Sequence, residues 1–427
     1  MGIDNDIQEL LKAGVITSET AERIKNHYGS KSGSTANRLF VVFGILGAML
    51  VGLGIVLIIA HNWDGFSRTT KTIFSFLPLA IAQLLSFYVL LKKPKSTAWR
   101  ESVSVLLFFA VGACIAMIGQ VYNIPGNLSS FLLSWMILCL PILYIMNSSA
   151  TAILYLLGIT YYAAETSYFS YPSSHSYWYW ALLLAIIPYY YFLWKRHPTS
   201  NFVTILNWVL PLSVTIALGT LGNEAGIFLF IGYCSIFGFF YNLGSHEFFK
   251  GQVLRNNSYQ IIGTIGTLIL LFITSFEEFW SELRARKYTF GEIFTSLEFW
   301  AAIAITVGAL VFLYIQQRHK SLTTISFLSF VFILFFIIFG IGLYASVSVV
   351  LINVLILAIG VWTIVNGTKK DHFGILNFGL SIITLWILIR FLNSDLSFVV
   401  RGFLLMAIGL AFFAANYWMY KKRKKNE

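Results

Sequence analysis

The chain has 427 residues, of which 58% are hydrophobic and 11% charged, with a net charge of +11 and a mean hydropathy of +0.76. A soluble domain carries roughly 25% charged residues, and apolar runs longer than about 18 residues are the mark of a bilayer crossing. This excludes a soluble protein with a rich core. It also removes nucleic acid as a partner, because the basic excess sits in loops beside apolar runs, as membrane threading requires.

Residues 1–38 come first, as a short helical hairpin and a linker. Ile7, Leu10 and Leu11 give one apolar face and Gly14 breaks it. Thr17 is placed to cap a second helix, with Glu19 in its first turn. Val15, Ile16, Ala21 and Ile24 supply that helix's apolar side. The stretch Gly29–Thr35 reads as a flexible linker. The first apolar run opens at Leu39 with no small-residue cleavage site, so it stays in the mature chain.

From there the sequence is an all-α integral membrane protein. Runs near 39–60, 72–91, 102–121, 128–146, 149–164, 178–194, 202–221, 224–243, 258–276, 299–317, 322–340, 343–366, 373–392 and 398–420 make about 14 transmembrane helices. The fourth and fifth are joined only by Asn147-Ser148, and the fifth is short enough to be re-entrant. With the N-terminus inside, 22 of the 29 lysines and arginines fall on the inside, five fall outside, and Arg390 and Arg401 lie within spans. That bias predicts that both termini are cytoplasmic. The membrane domain covers 39–420, and the basic tail 421–427 is suited to anionic lipid heads.

Several segments have a membrane signature of their own. Gly44, Ala48 and Gly52 recur every fourth residue, leaving one helix face smooth enough for a close neighbour. Tyr177-Trp178-Tyr179-Trp180 and Tyr189-Tyr190-Tyr191 sit at opposite ends of the sixth run, as an aromatic belt does. The long outside loop 277–298 interleaves charges of both signs with Phe279, Trp280, Phe290 and Phe294, and reads as an amphipathic element in the outer interface. Cys114, Cys139 and Cys234 all lie inside apolar runs and read as small buried hydrophobes; the pattern predicts neither a disulfide framework nor a metal site.

Three segments together resemble a known family. They are the N-terminal hairpin with Gly44–Ala48 and His61-Asn62-Trp63-Asp64, then Ile118–Gly126, and more weakly the tail from Arg390 through Gly402 to Asn416. They resemble the bacterial membrane proteins grouped as DUF2157, most clearly over about residues 5–165. The resemblance implies a multi-pass protein of the bacterial inner membrane with a cytoplasmic N-terminal segment. The family label denotes unknown function, so it assigns no catalytic residue and no cofactor.

Polar groups at membrane depth are the places to look for chemistry. Asp64, beside Arg68, reads either as a turn residue after the first span or as an acceptor at a cavity mouth. Gln120, Tyr122 and Asn123 precede Pro125-Gly126. They read either as a helix end or as a broken helix whose freed backbone lines a polar cavity, with Gln83, Asn207 and Asn353 as further contributors. Arg390 and Arg401 flank Asp395 near the outer ends of the last two spans. They form either a local clasp or a pair of guanidinium groups for a carboxylate or phosphate. Phosphate-binding loops, His-Glu-x-x-His and nucleophile elbows do not occur.

The composition and topology therefore predict a transporter or flippase for a lipid or anionic solute, with membrane lipids as partners. Fourteen spans with both ends inside is a count shared with multidrug and polysaccharide flippases, an analogy at the level of fold. The alternatives are a membrane-embedded transferase using lipid-linked substrates, and a sensor or scaffold that works through the hairpin.

Overall fold

The structure is a computed structural model. It describes residues 7, 10–61, 65–170, 174, 176–222, 226–246, 249, 256–286, 288–318 and 326–392, with 399, 402–403, 406, 409–410, 412–414, 416–417 and 421 beyond. At 25–38, 55–56, 58–61, 290 and 391–392 only the backbone is described. Every regular element among these residues is helical. The chain divides into two units, Met1–Val209 and Leu210–Glu427.

In the first unit, Gly14 takes φ +69 and turns the chain. The Thr17 hydroxyl then accepts the Thr20 N–H at 3.3 Å. Helix α1 runs unbroken from Ser18 to His61. The glycine- and serine-rich stretch Gly29–Thr35, which reads as a linker, is helical backbone within it. Next come α2 (Arg68–Lys92), α3 (Thr97–Val121), α4 (Leu128–Ile145), α5 (Ser149–Ala164) with a π-turn at Glu165–Phe169, and α6 (Tyr177–Arg196). Helix α3 is the hub, packing against α1, α2, α4 and α5. The smooth face expected on α1 is its contact with α3. Gly44 lies against the Ser102 side chain, and a Cβ on Gly52 would sit 3.1 Å from that of Phe109. Trp135 of α4 reaches the other side of α3, its indole N–H donating to the Phe108 carbonyl at 2.9 Å.

Three helices end the same way. Asn123, Asn147 and Asp371 take positive φ of 48, 46 and 52. After each, the next N–H returns to a carbonyl five residues back: Ile124 to Gly119, Ser148 to Leu143 and His372 to Gly367. This closure satisfies carbonyls that a helix end leaves bare, and asparagine and aspartate tolerate the left-handed backbone it needs.

The boundary between the units falls within α7 (Asn201–Gly219). The second unit continues with α8 (Leu229–Gly244), α9 (Ser258–Ile273), α10 (Glu277–Ala285), α11 (Phe290–Thr295), α12 (Leu297–Gln317), α13 (Val331–Gly342), α14 (Val347–Lys369) and α15 (Phe373–Leu392). Helix α8 is central here, flanked by α9, α12 and α13. A close approach lies at Gly263 of α9, where a Cβ would stand 2.5 Å from the Tyr241 backbone nitrogen.

Helices α9 and α10 meet at 71°. Trp280 of α10 is fully buried and donates its indole N–H to the Thr274 carbonyl at 2.7 Å. Its ring packs on Gly342 and near Phe339. Trp280 of the expected interfacial element 277–298 is thus covered by protein, while its Phe294 is exposed. The belt of α6 is likewise divided: Tyr177, Trp178 and Tyr191 are exposed, while Tyr179 and Tyr189 are buried. The three cysteines are unpaired and buried.

Among the described residues eight helices are long and apolar enough to cross a membrane: α2, α3, α4, α7, the segment Gly226–Gly244, α12, α14 and α15. The bent pair α9–α10 makes a ninth if taken as one crossing. The other expected spans fall on the apolar part of the long α1, on α5 with 16 residues, on α6, on α13 with 12 residues, and on 398–420, which is largely outside the described residues. A crossing takes about 20 residues, so α5 and α13 are short for one.

Gly263→Ala should cost about 2 kcal/mol, because the added methyl meets backbone that cannot step aside. Thermal unfolding of the purified protein in detergent checks this. An unchanged midpoint would show that α8 and α9 have room to part.

Candidate functional site

Helix α15 carries Arg390 at the end of an apolar run, and three elements converge on it. Ser275 and Phe276 come from the bend between α9 and α10, Asn353 from α14, and Trp386 from one turn earlier on α15. Asn353 sets the geometry. Its Nδ2 donates to the Val349 carbonyl at 2.6 Å and to the Ser275 carbonyl at 3.0 Å. Its Oδ1 then accepts the Trp386 indole N–H at 2.8 Å and the Arg390 Nε–H at 3.1 Å. Arg390 Nη2 donates to the Ser275 carbonyl, and the guanidinium carbon lies 4.9 Å over the Phe276 ring. The groups that hydrogen-bond this cation are neutral, and the Glu278 carboxylate acts on it electrostatically. Ion pairs among the described residues include Arg23–Glu19 and Arg284–Glu277.

The other predicted residues separate into groups. Asp64, Asp395 and Arg401 lie outside the described residues. Arg68 and Tyr122 come together: the Arg68 guanidinium carbon is 4.8 Å from the Tyr122 ring centre, and the Tyr122 hydroxyl is 3.3 Å from that of Thr72. Gln120 and Asn123 are exposed at the end of α3, and Asn123 forms its left-handed closure. This polar segment is an ordinary helix terminus, without unwound backbone inside a helix. Asn207 accepts from the Tyr190 hydroxyl at 2.5 Å, and Asn353 belongs with Arg390.

One charged cluster was not anticipated from the sequence. Arg100 and Glu101, adjacent in the first turns of α3, grip the tight joint between α4 and α5. Arg100 donates to the Met146 carbonyl at 2.8 Å and the Asn147 carbonyl at 2.7 Å. Glu101 is 3% exposed and accepts the Ser149 N–H at 2.9 Å, the Ala150 N–H at 2.9 Å and the Ser148 hydroxyl at 2.5 Å. The cation meets the carbonyl end of α4 and the anion meets the N–H end of α5, so each charge faces the favourable pole of a helix. The available signal was a carboxylate at the mouth of one apolar run together with a two-residue connection between two others, which leaves part of its helix-end groups for another element to satisfy.

Among the described residues no group of three histidine, cysteine, aspartate or glutamate side chains is placed to hold a metal ion. The long apolar helices, many of whose large apolar side chains are exposed, and the polar groups gathered at helix ends define a multi-pass helical membrane protein. Residues 8–152, from the hairpin to the start of α5, match the family described as predicted membrane protein DUF2157. No curated protein and no solved structure matches the chain.

Removing the Glu101 carboxylate strands two N–H groups and a hydroxyl in a buried site. Glu101→Ala should destabilise the protein by about 3 kcal/mol, and Glu101→Gln by less, since it keeps one acceptor. Thermal unfolding of the two variants side by side tests the ranking. Equal midpoints for both variants and the parent would show that the joint holds without the carboxylate.

Proposed function

We propose that this chain is a bacterial inner-membrane protein of fourteen spans, with both termini in the cytoplasm, that moves an anionic lipid or small anionic solute. One observation carries this reading: the Arg390 guanidinium is held at the end of an apolar helix by a carbonyl, an amide oxygen and an aromatic face. An arginine at the margin of a bilayer is costly unless it finds a counter-charge or water. On the outer side, where the charge bias disfavours basic residues, such a group suits phosphate or carboxylate. Asp395 and Arg401, which flank the same turn in sequence, would complete the group, with Arg68 and Asp64 serving a second outer position. A sensor or scaffold reading has support of a different kind, since α1 joins the N-terminal hairpin to the membrane domain without a break.

Phosphatidylglycerol added to the purified protein should raise its unfolding temperature more than phosphatidylcholine does. Arg390→Ala should lose most of that difference and Arg390→Lys should keep part of it. Equal responses in the parent and Arg390→Ala would remove Arg390 from ligand binding.

The threading is checked with an impermeant maleimide on single engineered cysteines. Ser174→Cys and Arg286→Cys should label in intact cells, and Lys93→Cys and Lys370→Cys only after permeabilisation. The reverse pattern at any one of the four would break the fourteen-span assignment.

A further inference from the structure

We infer that the C-terminal ends of α8 and α12 build a site for a monovalent metal cation, with Asn242 and Gln316 as its side-chain ligands. Asn242 is completely buried. Its Nδ2 donates to the Gly238 carbonyl at 2.9 Å and to the Ser329 carbonyl at 3.3 Å. Those two acceptors fix which end of the amide is nitrogen. The Oδ1 faces the other way, buried, with no donor among the described residues. Gln316 repeats the arrangement: its Nε2 donates to the backbone carbonyl of Asn242 at 3.0 Å, and its buried Oε1 has no donor among the described residues. The two amides are thus joined through residue 242, and each leaves its carbonyl oxygen buried without a donor among the described residues. The Oε1 of Gln317, the next residue of α12, is a third buried oxygen of this kind.

Earlier along the same seam, α8 and α12 pack closely. The Ser235 and Thr306 hydroxyls of α8 and α12 meet at 2.7 Å, and the Phe239 and Phe312 rings lie 5.0 Å apart. Nearby, the Tyr241 hydroxyl pairs with that of Ser326 at 2.6 Å. Asn242 is two residues from the end of α8, and Gln316 is one residue from the end of α12. Two helix C-termini, each the negative pole of its dipole, therefore flank the oxygens. The neighbouring basic side chain on α12, Arg318, is exposed, and its backbone N–H closes the helix on the Tyr314 carbonyl. Neutral oxygen ligands beside helix C-termini are how membrane transporters hold sodium. Divalent calcium and magnesium call for carboxylates, and none belongs to this set.

This inference is independent of the anion reading at Arg390. It is tested on the full-length purified protein by thermal unfolding in sodium, potassium or choline chloride at one ionic strength. Sodium or potassium should raise the midpoint by a few degrees over choline, saturating with concentration. Asn242→Leu should abolish the difference. Gln316→Met, at a less buried position, should reduce it and serves if Asn242→Leu fails to fold. Identical midpoints in all three salts for the parent would mean that water satisfies these oxygens, and the site would be withdrawn. A response that persists in both variants would place the ion elsewhere and equally overturn the assignment.

Discussion

Two adjacent residues of α3, Arg100 and Glu101, hold closed the short joint between α4 and α5. A bilayer offers no water to the four carbonyls and four N–H groups left bare at each helix break. The short joint between α4 and α5 satisfies only part of them from its own chain, through the Ser148 N–H to the Leu143 carbonyl and the Thr151 N–H to the Ser148 hydroxyl. Arg100 and Glu101 satisfy others from a third helix, one pole each, and in doing so fix α3 against both. The rest of the unit follows from that placement: α1 and α2 pack on the remaining sides of α3, and Trp135 pins α4 to it by hydrogen bond and ring contact.

The second unit meets the same constraint with amides, an indole and one arginine. Asparagines at 242, 257 and 353 bridge the backbone of one segment to another. Glycine at 263 lets α9 reach the backbone of α8. Where the chain bends by 71°, Trp280 and Arg390 cover the exposed carbonyls of Thr274 and Ser275. Amide side chains suit this work because each carries a donor and an acceptor and brings no charge to be desolvated.

What could be read from the sequence was what depends on local pattern. The apolar runs, the Thr17 cap, the break at Gly14, the smooth face at Gly44 and Gly52, and the unusual place of Arg390 are all stated within a few residues. What could not be read depends on partners far along the chain. Glu101 meets Ser149 across 48 residues, and Arg390 meets Ser275 across 115. Periodicity places Trp280 at a membrane surface, because an indole between charges looks like a belt residue; only the fold of α10 back onto Gly342 buries it. Gly29–Thr35 misleads for the opposite reason. Its composition favours coil, yet it lies between two strongly helical stretches and continues them.

That continuity has a mechanical consequence. At 1.5 Å per residue, the 44 residues of α1 make a rod roughly 66 Å long. The hydrocarbon layer is about 30 Å thick, so around half of the rod stands clear of it. A tilt of about 10° at the membrane would swing the far end by roughly 6 Å. Any change in how α1 leans on α3 at Gly44 and Gly52 would reach Ser18 as leverage, amplified by length.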